Sequence, residues 1–126
     1  MVSCEGITMY DPRHSFKAEA AEALSEGESV YISSDGLVYA VDNGKSDVCH
    51  GWALTDIAAG RMVTVVTWCR MDVDATQTIG ARVYTGAVSG GSAPSTTLSA
   101  SGVVCGFAVS ASKIVVGVNY VAPADG

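Results

Sequence analysis

The stretch Val48–Thr55, VCHGWALT, sets a cysteine beside a histidine, with a tryptophan two residues further on. A thiol next to an imidazole suggests a nucleophile with its base, or two ligands of a zinc ion. The spacing argues against both. In an extended chain adjacent side chains point to opposite faces, so Cys49 and His50 are poorly placed to act on one atom. Zinc takes four ligands, usually from paired C-x-x-C or H-x-x-x-H motifs. Here Cys4, Cys49, Cys69 and Cys105 are isolated, and His14 and His50 are the only histidines. Cys49 therefore reads as a small buried hydrophobe.

Two further constellations invite a chemical reading. Asp72 and Asp74 in MDVDATQT lie two apart, on one face if extended, and could share a Ca²⁺ ion or work as an acid–base pair. Ca²⁺ wants six to eight oxygens, and no glycine-bearing loop surrounds them, so an acidic bend is the simpler reading. AVSGGSAP, Ala87–Pro94, superficially resembles the G-D-S-G-G-P nucleophile loop of trypsin-like proteases. Val88 stands before the serine, and the chain is too short for a two-barrel protease, so it reads as a Ser/Gly loop. The sequence carries no phosphate-binding glycine loop, dinucleotide fingerprint or nucleophile elbow. No catalytic residue, cofactor or metal is expected, and the chain is not read as an enzyme.

The elements that would position any site follow from composition. At 126 residues the chain is expected to form one domain, and with 48% apolar residues it is globular in character. Val, Ala, Gly, Ser and Thr dominate and aromatics are few, which favours strands and turns over helices. The net charge is −6 and the seven cations (Arg13, Lys17, Arg61, Arg70, Arg82, Lys45 and Lys113) are scattered. Nucleic-acid binding needs clustered positive charge, so none is expected. No apolar run reaches the roughly 18–20 residues of a membrane helix, so no membrane partner is expected either. Residues 1–20 lack the apolar core of a signal peptide, and the cysteines read as thiols of a reducing compartment. Every glutamate precedes Ser29, and no acid occurs between Asp74 and Asp125. So uncharged a half is either a Ser/Thr-rich exterior or a face turned to other protein.

An internal duplication is the strongest organisational signal. GESVYI at Gly27–Ile32 matches GARVYT at Gly80–Thr85, and GWALT at Gly51–Thr55 matches GFAVS at Gly106–Ser110. MVTV at Met62–Val65 then matches IVVG at Ile114–Gly117, so the offsets are 53, 55 and 52. Aligned this way Trp52 faces Phe107, while Cys49 and His50 face Val104 and Cys105, outside the shared pattern. The predicted fold is all-β: a small β-barrel or sandwich built from two similar units of about 40 residues, near 27–66 and 80–118. Residues 1–15 read as an extended N-terminal arm, and 16–126 as a single β domain. Strands are expected at Ser29–Ser33, Leu37–Asp42, Val48–Leu54, Arg61–Arg70, Ala81–Thr85, Val103–Val109 and Ile114–Asn119. Turns are expected at SDG, DNGKSD and SASK. Phe16–Gly27, rich in Ala and Glu, is either the one short helix or an extended lead-in strand.

The succession AEALSEGESVYISSDGLVYAV, GWALTDIAAGRMVTVV and a looser second copy ending GFAVSASKIVVGV resembles the small β-rich capsid decoration, or cement, proteins of tailed bacteriophages. The match covers Ala18–Val66 well and the rest loosely, in a pattern of turns and strands without a chemical signature. The resemblance implies a homotrimer bound to the outer capsid surface, made in the host cytoplasm, that clamps neighbouring copies of the major capsid protein. In the arm, Tyr10, Arg13, His14 and Phe16 are candidate capsid or subunit contacts, since aromatics and Arg dominate interface hot spots; Arg82 is a fifth. Another reading is a glycan- or ligand-binding β domain of a fibre or adhesin, which requires Trp52 or Trp68 to face solvent. An enzyme would require a cleft of perturbed carboxylates around Asp72 and Asp74.

Overall fold

A computed structural model describes residues 7–41, 49–73, 77–84 and 104–118. It is all-β, with no helix among the described residues. Eight strands form one curled, half-barrel sheet: β1 (Thr8–Glu19), β2 (Ser29–Ile32), β3 (Val38–Ala40), β4 (Gly51–Ala53), β5 (Met62–Asp72), β6 (Arg82–Tyr84), β7 (Val104–Ala108) and β8 (Lys113–Gly117). Their order is β3-β2-β4-β5-β8-β7-β6, with β1 along the other edge of β5. Each predicted strand has its counterpart, most of them shorter than expected, although β5 runs on past Arg70 to Asp72 and β8 starts one residue early at Lys113. The predicted SDG turn closes the β2–β3 hairpin, with the Gly36 N–H donating to the Ser33 carbonyl. The SASK turn closes β7 on β8. DNGKSD, Ala87–Pro94 and Asp74 lie outside the described residues.

The duplication is written into the hydrogen bonds. Three strands of the first unit, β2-β4-β5, and three of the second, β6-β7-β8, meet where β5 pairs with β8. Ser29 and Val30 pair with Trp52 and Gly51, as Arg82 and Val83 pair with Phe107 and Gly106. The N–H of Gly27 donates to the Ala53 carbonyl at 2.9 Å and that of Gly80 to Ala108 at 2.8 Å. Ahead of each, Glu28 bonds back to Ser25 and Ala81 to Thr78, closing the same turn. Both turns need a left-handed backbone at one position, φ +82° at Gly27 and +77° at Gly80. Glycine adopts it without the Cβ clash that other residues meet. The third sequence match is displaced, however. Ala53 pairs with Val65 and Ala108 with Ile114, so the counterpart of Ile114 is Val65, three residues beyond Met62.

The N-terminal segment forms the longest strand. Thr8–Glu19 lies antiparallel to β5 from Asp72 down to Met62, running through the expected boundary at residues 15 and 16. Of the two readings of Phe16–Gly27, the extended one holds: strand as far as Glu19, then turns tied by bridges Ala20–Val38 and Leu24–Ile57. Two apolar clusters fill the curl. One gathers Ala20, Leu24, Val30, Val38, Ala53, Val63 and Val65 under the first unit. The other gathers Trp52, Val66, Cys69, Met71, Val83, Cys105, Ile114 and Val116. Fully burying a Val or Ile contributes about 1.5–3 kcal/mol, so many small contacts replace a few large aromatic ones.

Candidate functional site

The pair that opens the sequence reading has no joint chemistry. The Cys49 thiol points inward and donates to the Gly51 carbonyl at 3.5 Å. Burial pushes it up to about 12, as it does Cys69, and it raises the Cys105 thiol as well. A thiol held that high stays protonated and is a poor nucleophile. His50 is exposed, and its Nδ1 accepts the Ile32 N–H at 2.8 Å. Asp72 is the described half of the expected carboxylate pair, Asp74 lying outside the described residues. It ends β5, and its Oδ1 holds the Lys113 ammonium at 2.6 Å. Among the described residues no cluster of His, Cys, Asp or Glu could hold a metal ion.

What the fold presents to solvent is β1. From Asp11 to Lys17 every residue is exposed, although the strand is paired along its whole length. Only one edge is used: among the described residues no strand covers the other. The first half of that edge is blunted. A bulge falls between Tyr10 and Arg13, where Pro12 has no N–H to offer, and Asp11 and His14 take φ of +52° and +54°. The outward N–H of Met9 is capped by the Glu26 carboxylate at 2.8 Å. The second half is open. Thr64 gives its carbonyl to Leu54 on the β4 side. By the alternation of an antiparallel pair, Lys17 opposite it turns its own N–H and C=O to the free edge, with Ser15 in phase, and the Ala20–Val38 bridge closes the edge beyond them.

The five sequence-predicted contact residues do not gather in one place. Arg13, His14 and Phe16 share the middle of β1. Tyr10 lies toward its start, with the Arg70 guanidinium 5.3 Å and the Lys113 ammonium 5.5 Å from its ring centre. Those cations are themselves tied to Asp11 and Asp72, so Tyr10 sits inside a closed charge cluster. Arg82 belongs to β6 at the far edge of the sheet, opposite Phe107, with β7, β8 and β5 between it and β1.

Beside Arg13, His14 and Phe16 the structure adds residues that sequence reasoning did not place there. Two shallow cavities adjoin at Val118. One, about 370 Å³, is lined by Phe16, Ile32, Cys49, His50 and Val118. The other, about 420 Å³, is lined by Arg13, His14, Thr67, Trp68 and Val118. Both histidines of the chain thus line this face. Phe16 and Trp68 are each 37% exposed, whereas Trp52 is wholly buried. The Trp68 ring lies across Gly117, its partner on β8: a Cβ there would come within 2.1 Å of the ring. Its signal in the sequence was a large aromatic, next to Thr67, in a strand otherwise rich in valine.

Fold and surface define a class: a duplicated all-β domain with one long, half-open edge strand beside exposed aromatics. No protein-family model matches the chain, and no curated protein matches it.

Proposed function

We propose that the chain is a structural assembly protein of the capsid-decoration kind, which docks through β1 on a larger protein shell and ties neighbouring shell subunits together. One observation carries this reading: twelve residues of strand held along one edge only, exposed from Asp11 to Lys17. An open edge offers backbone hydrogen bonds to an added strand, and the side chains alongside give selectivity. Phe16 and Lys17 lie where such a strand would enter. The protonated thiols and the tied Asp72 carboxylate fit a protein that binds rather than reacts. On this reading the partners are the major capsid protein and further copies of the chain, as a homotrimer, and the place of action is the outer surface of the virion.

The test is absolute mass in solution, followed by sedimentation with purified empty heads of a tailed phage. A trimer that co-pellets at a fixed ratio to the capsid subunit is expected, and the Phe16→Asp, Lys17→Glu double variant should stay in the supernatant with unchanged thermal unfolding. A monomer that pellets with no head overturns the reading. A second reading, a glycan- or ligand-binding domain of a fibre or adhesin, is favoured by the exposure of Trp68, which that reading requires.

A further inference from the structure

Arg13, Trp68 and Gly117 stand in one row across β1, β5 and β8, as direct cross-strand partners. Partners in a row carry their side chains on the same face. Gly117 contributes none, so the indole lies over its backbone. Beside it the Thr67 hydroxyl donates to the His14 carbonyl at 3.1 Å, tying β1 to β5 where His14 departs from regular strand geometry. The result is a cavity with one aromatic wall and a polar rim of Arg13, His14 and Thr67. Its volume of about 420 Å³ lies inside the roughly 300–1,000 Å³ usual for ligand pockets.

The charge is informative. The protein carries −6 overall, and its other described β-strand cations beside Tyr10 are neutralised: Arg70 by Asp11 at 3.6 Å and Lys113 by Asp72 at 2.6 Å. Asp11, the acid nearest Arg13 in sequence, is therefore taken. No ion pair involves Arg13 among the described residues. A guanidinium offers a fork matched to a carboxylate. An indole face offers an apolar platform, and hydroxyl and imidazole groups supply hydrogen bonds at the rim.

We infer that this cavity binds an acidic sugar: a pyranose ring stacked on Trp68, with its carboxylate on Arg13 and its hydroxyls toward His14 and Thr67. The site goes beyond shell docking and does not depend on it. Because Arg13 and His14 belong to the same strip of β1, a shell seated there would block the sugar. Heads saturated with the protein would then not retain it.

The test follows the two tryptophan indole N–H signals by NMR, assigned with Trp68→Phe, while a galacturonic acid tetramer or a neutral galactose tetramer is added. The acidic tetramer should shift the Trp68 signal saturably and leave that of buried Trp52 in place. Arg13→Gln should weaken binding about tenfold, the scale of a lost charge-assisted hydrogen bond, and Trp68→Ala should abolish it with the far-UV circular dichroism unchanged. If Trp68→Ala disturbs the fold, Arg13→Gln and the neutral tetramer decide. No shift up to ~20 mM, well beyond a millimolar Kd, would overturn the assignment. So would equal binding of both sugars, or insensitivity to Arg13→Gln. Tighter binding of a short polyglutamate at the same signal would overturn it in favour of an acidic peptide.

Discussion

Gly106 is the position at which one methyl group should do most damage. A Cβ there would lie 1.8 Å from the Val115 carbonyl oxygen, 2.8 Å from its carbon and 3.0 Å from the Val116 Cα. All three are backbone atoms of the neighbouring strand, so no side-chain rotation relieves the clash. To restore van der Waals contact near 3.4 Å, β7 and β8 must part by more than an ångström, which breaks the ladder around Gly106, Phe107 and Ala108. Overpacking costs about 1–3 kcal/mol and each lost hydrogen bond about 1. Gly106→Ala should therefore lose about 3 kcal/mol or more, out of the 5–15 typical of a domain. At roughly 4 °C per kcal/mol for a chain of this length, Tm falls by about 12 °C. Two variants calibrate the result. Gly80→Ala has nothing within 4 Å and suffers only the left-handed backbone, about 1–2 kcal/mol. Gly117→Ala meets the Trp68 ring, which can swing away, so it should fall between them and raise the exposure of Trp68. Thermal unfolding by circular dichroism ranks the three. If Gly106→Ala melts no lower than Gly80→Ala, the close approach of β7 to β8 is wrong.

Two predictions concern protons. Burial holds Cys49 and Cys69 near 12, so in a Cys4→Ser variant these two thiols should resist a disulfide reagent at pH 8 and react once urea unfolds the chain. The sign follows from linkage: above the ordinary thiol value of about 9 the unfolded chain releases protons that the folded one keeps, so stability falls as pH rises from there toward 12, seen as a lower urea midpoint at pH 10 than at pH 8. Asp35 accepts the Tyr39 hydroxyl at 2.6 Å and the Leu37 N–H at 3.0 Å, and these bonds hold its carboxyl below the usual carboxylate range. Its contribution is present above the ordinary carboxylate value and is lost as pH falls through its own lower one. Tyr39→Phe should move the Asp35 carboxyl titration upward by NMR, and an unchanged titration would show that the bond is not made in solution.

Turn chemistry and repetition were legible in the sequence because glycine and strand-forming residues act locally. The equivalence of Gly27 with Gly80 and of Trp52 with Phe107 could be read from letters alone. The slip of the third match could not, since MVTV and IVVG fit each other at several registers and only cross-strand pairing selects one. β1 was hidden for a physical reason. A strand exposed on both faces through its middle shows no alternation of apolar and polar residues, and Pro12 argues against a strand unless it lies at an edge. Ala and Glu after Phe16 favour helix weakly, and pairing with β5 overrides that preference. The surface was half legible. Arg13, His14 and Phe16 were candidates by residue type, but Trp68 reads as core until its row is known, because a large aromatic in a valine-rich strand is usually buried.

The duplication also explains why this face lies where it does. β5 serves both units, receiving β4 along its first half and β8 along its second. Thr64 gives its carbonyl to β4 and Thr67 gives its own to Val118 beyond β8, at 3.0 Å. In a regular strand, residues an odd number apart turn to opposite edges, so β5 slips by half a period between them. The slip accounts for Val66 and Cys69, three residues apart, being buried in the same cluster. It also leaves the seam between the units without a regular ladder, and there the Thr67 side chain bonds to the His14 carbonyl instead. Thr67→Val keeps the shape and removes that bond, so it should cost about 1 kcal/mol, read as a lower urea midpoint at unchanged slope. It should also speed hydrogen exchange at Phe16, near the freed carbonyl, while β6 and β7 exchange as before. A variant with wild-type stability and exchange would mean that the seam is held by the packing of Val66 and Val118 alone, and that the geometry of His14 has another cause.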